Sequence, residues 1–107
     1  MLTLPIKKKW FNMILSGEKK EEYREIKPYY ASRFYRNHIA SGVGLEWILN
    51  NNPIVYKNII LRNGYSKNSP SIICYVLITK GTGKPEWGAK PGKEYYVLKI
   101  LNVEKID

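Results

Sequence analysis

Between Gly17 and Arg24 the chain reads Gly17-Glu18-Lys19-Lys20-Glu21-Glu22-Tyr23-Arg24, a run that sets an ammonium, a carboxylate and a guanidinium close together. If Lys20 to Ile26 form a strand, Glu22 and Arg24 point to one face and Glu21 and Tyr23 to the other, with Lys19 in the turn that leads in. Lys19, Glu22 and Arg24 could then converge. A carboxylate flanked by two cations stays ionised and fixed in place, accepting hydrogen bonds from an amino group while its cations face phosphate. The same trio suits acid–base work, with a desolvated Lys19 of lowered pKa as base and Glu22 as its partner. The plain alternative is a cross-strand salt bridge on a solvated face, worth about 0–1 kcal/mol.

Other residues have chemistry of the same kind. Arg62-Asn63 followed by Gly64-Tyr65 could supply a phosphate contact, an amide and a stacking ring within a few residues, or could simply be a turn that suits asparagine and glycine. Trp87 lies in a loop rich in glycine and proline and is either a plug over one end of the fold or a stacking platform at its mouth. Lys9, Lys20 and Lys67 extend the set of cations that a phosphate backbone would meet. Trp10 shares a helical face with Ile14, so core packing is its first reading and ligand contact its second. His38 is the only histidine and sits in a polar Arg36-Asn37-His38 turn, where a solvated side chain is expected rather than a catalytic one.

Several chemistries are excluded. One cysteine, Cys74, inside an apolar run, forms no intrachain disulfide and no multi-cysteine zinc site, and is read as a small buried hydrophobe. With one histidine there is no two-histidine metal site, and neither metal nor cofactor is expected. No apolar run approaches the roughly 20 residues needed to span a bilayer. The lysines near the N-terminus follow a short semi-apolar run instead of preceding a long one, the wrong order for a secretory signal, so a cytoplasmic location without membrane association is expected. Eighteen Lys and Arg against nine Asp and Glu leave a net charge of +9, which favours phosphate polyanions as partners. The cations are spread along the chain, as on a folded basic surface and not a basic tail. Nine tyrosines and three tryptophans are interleaved with them, a pattern of RNA binders that stack unpaired bases, although strand and core packing is the reading for most of the tyrosines.

The elements that must position these groups follow from periodicity. Leu2 to Ile6 alternates as a short strand, and apolar spacing through Trp10, Met13 and Ile14 marks a helix that Ser16-Gly17 ends. Pro28 opens a short helix through Tyr35, and a second runs from about Leu45 to Asn50. Asn50-Asn51-Asn52-Pro53 breaks the chain before strands at Tyr56–Leu61 and Ser71–Lys80. The segment Gly81 to Gly92 reads as an irregular loop, and Tyr95–Val103 as the last strand. At 107 residues the chain has room for one core, so residues 1–107 are read as one domain. Its class is α+β: a small, partly open β-barrel of about five strands with two or three short helices.

The run from Gly17 to Arg24 resembles the Gly-x-Lys-x-x-Glu-x-Arg signature of the ASCH family, in the PUA-like superfamily, and holds all four of its defining positions. Lys8-Lys9-Trp10-Phe11 at a helix start, Arg62-Asn63-Gly64-Tyr65 at a strand end, and Pro91-Gly92 before a tyrosine-rich last strand are similar to the small bacterial and phage members, so the resemblance covers nearly the whole chain. It implies a PUA-like barrel with a basic cleft beside the signature, holding single-stranded RNA, a nucleotide or a modified base. It also implies an alternative, a hydrolase using Lys19, Glu22 and Arg24, because some ASCH proteins are acetylcytidine amidohydrolases and others have been described as ribonucleases. In the amidohydrolases the signature reads Lys-x-x-Thr, with the threonine as proposed nucleophile; here that position is Glu22, so the threonine route is closed.

Overall fold

A computed structural model describes residues 1–106. Among these residues five strands form one curled, half-barrel sheet, with the α-helices in the first half of the chain. Strand β1 (Leu2–Pro5) leads into helix α1 (Lys8–Leu15), followed by β2 (Glu21–Arg24) and three helices, α2 (Pro28–Phe34), α3 (Arg36–Ala40) and α4 (Leu45–Asn50). The long strands β3 (Val55–Arg62), β4 (Ser71–Thr82) and β5 (Glu94–Ile106) complete the chain, with one 3-10 turn at Pro85–Trp87. The order across the sheet is β1-β3-β4-β5-β2; β1 runs parallel to β3 and every other pairing is antiparallel. The expected class, α+β with a small partly open barrel of five strands, is the observed one.

Alternation in the strands decides which side of the sheet is the core. Ile59 and Leu61 of β3 register with Cys74 and Ile72 of β4, and Ile78 of β4 with Leu98 of β5; all six are buried. Phe11 and Ile14 of α1, Phe34 of α2 and Ile48 of α4 close the same core from the helical side. Each such side chain, fully buried, stabilises the fold by about 1.5–3 kcal/mol. Cys74 takes its expected place as a buried apolar residue, and burial pushes its thiol pKa up to about 12.

Some boundaries differ from the periodic reading, each for a tertiary reason. Strand β2 covers only Glu21–Arg24 because its partner residues are Tyr96–Lys99 and Pro28 starts a helix soon after. Strand β4 continues through Gly81 and Thr82, read as loop, because Tyr95 and Glu94 supply partners there. Strand β5 likewise runs on to Ile106, with β4 as its template. Among the described residues the helices number four, the addition being α3, where the sequence suggested a polar turn at Arg36-Asn37-His38. Its backbone is held by Ile39 N–H donating to Tyr35 O, and Ile39 packs against the core. His38 is accordingly half-buried on a helix, edge-on to Tyr35 at 5.8 Å, and is not a solvated loop residue.

The two edges of the sheet approach each other at one end. Arg24 Nη2 on β2 donates to the carbonyl of Pro5 on β1 at 2.7 Å, joining strands that stand at opposite ends of the sheet order. That clasp defines the mouth beside which the charged run lies. Among the described residues, no helix is long and apolar enough to cross a membrane.

Candidate functional site

Placement of the charged trio begins with the end of α1. Gly17 adopts φ +86°, a left-handed conformation that glycine takes without a Cβ penalty, and its N–H returns to Ile14 O. Lys19 N–H then donates to Met13 O, folding the turn back so that the Lys19 side chain goes inward. Lys19 is 1% exposed. Its ammonium donates to the Trp87 carbonyl, stands 3.3 Å from Glu22 Oε1, and lies 4.9 Å from the ring centres of both Trp10 and Tyr23.

Glu22, on β2 opposite Leu98, projects to the core side and is itself buried. Its second oxygen, Oε2, accepts from Arg24 Nη2 at 2.7 Å. One oxygen is thus held by each cation, and Glu22 is fixed from both sides. Burial drives the Lys19 pKa below its ordinary value; Glu22 opposes the shift and Arg24 adds to it. For Arg24, burial alone would lower the pKa, but Glu22 and the Tyr30 hydroxyl outweigh it and the guanidinium is held above its ordinary value. Two basic side chains thus flank one carboxylate in a poorly solvated place.

A cleft of about 480 Å³ opens over this trio, within the roughly 300–1,000 Å³ range of small-ligand sites. Glu22 and Arg24 line it, Trp10, Tyr30 and Trp87 supply aromatic walls, and Lys7, Lys27 and Glu25 are its other charged groups, Glu25 being paired with Lys93. Lys19 is buried and does not line it. Tyr23 also lines the cleft: its hydroxyl donates to Glu21 Oε1 at 2.8 Å and accepts from the Lys84 N–H at 2.9 Å, tying β2 to the segment that bears Trp87. Burial, followed by Glu21, raises the Tyr23 pKa against the effect of the Lys84 N–H. That segment packs closely. A Cβ added at Gly83 would stand 2.5 Å from the Tyr23 ring, and one at Gly88 would stand 3.0 Å from the Trp10 ring.

The structure brings Lys19, Glu22, Arg24 and Trp87 together and puts the remaining sequence candidates elsewhere. Trp87 is half-buried at the cleft wall, and its ring carries Lys84 Nζ at 4.5 Å from the centroid. Lys9 is exposed beside the outer part of the Trp10 ring at 4.6 Å, and Lys20 is exposed. Arg62 donates to Ser71 Oγ, and Asn63 Nδ2 donates to Ile6 O at 3.0 Å, so Asn63 braces a cleft-lining segment without lining it. Tyr65, 94% exposed, and Lys67 project from the β3–β4 connection away from the cleft. Trp10, read mainly as core, does both: it packs against the core and lines the cleft.

Sequence reasoning missed Lys7, Tyr23, Lys27 and Tyr30. A signal for Tyr30 exists, since it stands four residues before Phe34 on a proline-opened helix and the two rings stack at 5.7 Å. Lys27 and Lys7 have no such local mark; they meet because the sheet curls. Among the described residues, no group of His, Cys, Asp and Glu is placed to hold a metal ion. Compared with protein-family models, curated proteins and solved structures, the chain matches none.

Proposed function

We propose that the cleft over Glu22 and Arg24 binds RNA or a nucleotide, with a base between the aromatic walls and phosphate on Lys7 and Lys27. One observation carries the reading: Glu22 is buried and gripped by a cation on each oxygen, beneath a cleft walled by Trp10, Tyr30 and Trp87. A carboxylate oxygen has a second lone pair, so Glu22 can still accept from the exocyclic amino group of a base. Stacking on an aromatic wall contributes about 1–3 kcal/mol per base. Lys7 and Lys27, which form no salt bridge among the described residues, supply positive charge where phosphate would lie. The resemblance of Gly17–Arg24 to the ASCH signature supports the same reading.

A hydrolase built on the same trio is less favoured by the geometry. A general base must come within hydrogen-bond reach of the proton it takes. The Lys19 ammonium is fully covered, held by the Trp87 carbonyl and Glu22, and does not line the cleft. Its chemistry here is to hold Glu22 in place.

Titration with mononucleotides and short single-stranded RNA, followed by tryptophan emission and by chromatography for products, tests the reading. Saturable binding without product is expected, weakened roughly tenfold (about 1.4 kcal/mol) in Trp87→Leu, which keeps the backbone carbonyl that holds Lys19. No binding of either ligand overturns it. Cleavage of RNA, or deacetylation of acetylcytidine, that disappears in Lys19→Ala would move the protein to the hydrolases.

A further inference from the structure

Helix α2 contributes to the cleft through Tyr30 and to a second groove through Ser32 and Arg33, with rings and cations set against one another between them. Tyr30 lines the cleft, with Arg24 Cζ 5.9 Å and Lys27 Nζ 5.4 Å from its ring centre. Tyr29, half exposed, meets Tyr30 edge-on at 4.9 Å. Arg33 lies over the other part of Tyr29, its Cζ 3.6 Å from the ring centre and its Nη1 donating to the Tyr29 carbonyl at 2.9 Å. The cations are therefore not loose surface charges, because each is set against a ring that limits its motion.

Beyond Arg33 the groove opens to about 800 Å³, with Arg33, Arg36 and Lys57 as its charged groups and Leu2 and Ile39 among its apolar ones. Among the described residues, no carboxylate lines it. Lys57 reaches it by an unusual route. It registers with buried Val76 on the core side of β3, and its ammonium donates to Arg33 O at 3.2 Å. Burial and the neighbouring Arg36 charge both disfavour its charged form, and nothing acidic nearby compensates. Three cations so arranged suit a polyanion with its charges spaced along a chain better than one compact ion.

We infer that a single-stranded polynucleotide held in the cleft continues across α2 and rests its phosphodiesters on Arg33, Arg36 and Lys57. The inference rests on the cleft reading above, and extends its ligand from a nucleotide to a strand. Seven helical residues span roughly 10 Å, and a track from cleft to groove is on the scale of a short single-strand site of about four nucleotides. Tyr29, half exposed and set between Tyr30 and Arg33, lies on the way.

Fluorescence anisotropy with labelled oligouridylate and oligothymidylate, each as dinucleotide and octanucleotide and across a salt series, tests it in wild type, Trp87→Leu and the double variant Arg33→Ala/Arg36→Ala. Trp87→Leu should weaken both lengths. The double variant should leave the dinucleotide unchanged, weaken the octanucleotide roughly tenfold, and reduce the salt slope by about 1.4, at roughly 0.7 per single-strand phosphate contact. Octanucleotide affinity and slope unchanged in the double variant would overturn the track while leaving the cleft reading intact. Dependence on Arg33 and Arg36 without dependence on Trp87 would overturn the continuous strand and count against the cleft reading. Binding of both polymers would assign the track to any single strand, binding of oligouridylate alone to RNA, and the inference stands in either case.

Discussion

The cleft and the β3–β4 connection hold nearly the same inventory: a lysine, an arginine, an aromatic ring and polar neighbours within a few residues. In the cleft those groups are fixed from several directions. Lys19 is held by Trp87 and Glu22, and Glu22 by two cations; Arg24 is held by Glu22 and Pro5. In the connection, Asn63 apart, which reaches Ile6 O, the polar groups bond within their own turn. Ser69 N–H donates to Ser66 O, Ser66 N–H to Ser69 Oγ and Asn68 N–H to Ser66 Oγ, while Tyr65 extends into solvent. Residue type is common to the two regions; what separates them is how many elements of the fold converge. The cleft is lined from β1, α1, β2, α2, the 3-10 turn and β5, whereas Tyr65 and Lys67 of the connection stand exposed.

Substitutions should reproduce that difference in graded form. The largest effect is expected for Glu22→Ala, which leaves the buried Lys19 ammonium and the Arg24 guanidinium without their carboxylate; breaking a buried pair in this way costs about 3–5 kcal/mol. Denaturant unfolding should show this as a much lower midpoint, and an unchanged midpoint would mean that the trio does not stabilise the cleft. An intermediate effect is expected for Gly83→Ala. Its new methyl would lie 2.5 Å from the Tyr23 ring and 2.7 Å from Ala89 Cβ, and overpacking of this kind costs about 1–3 kcal/mol. Near-UV circular dichroism should change with it as the Tyr23 ring shifts. The smallest effect is expected for Tyr65→Ala, within about 0.5 kcal/mol of wild type. A destabilisation by Tyr65→Ala comparable to that of Gly83→Ala would erase the contrast.

The sheet elements and the shared face of Glu22 and Arg24 were legible because both follow from alternation along one strand; that this face turns inward was not, because a solvated face suits the same alternation. Lys19 was legible as part of the trio because Gly17 marks the end of a helix just before it. That Lys19 would lie fully behind the carboxylate was not, since the turn geometry depends on the Met13 carbonyl and on Trp87, far along the chain. Lys7, Lys27 and Tyr30 escaped for a related reason. They share a cleft because a curled sheet brings β1 and β2 together across three intervening strands, a relation that local patterning does not encode. Arg62 and Tyr65 attracted attention by type alone, and type is blind to the direction in which a hairpin connection points.

The pairing of β2 with β5 also has a consequence for the chain as it is made. Glu22 registers with Leu98, so the strand that carries the charged run must wait for its partner through roughly 75 residues of synthesis, about 4–15 s at ribosomal rates of 5–20 residues per second. Throughout that interval Lys19, Glu22 and Arg24 are hydrated groups on an unpaired segment. Their desolvation needs β5, which supplies the ladder for β2, and Trp87, just upstream of it, whose carbonyl holds Lys19. A nascent chain stalled before β5 would display the complete motif and possess no cleft.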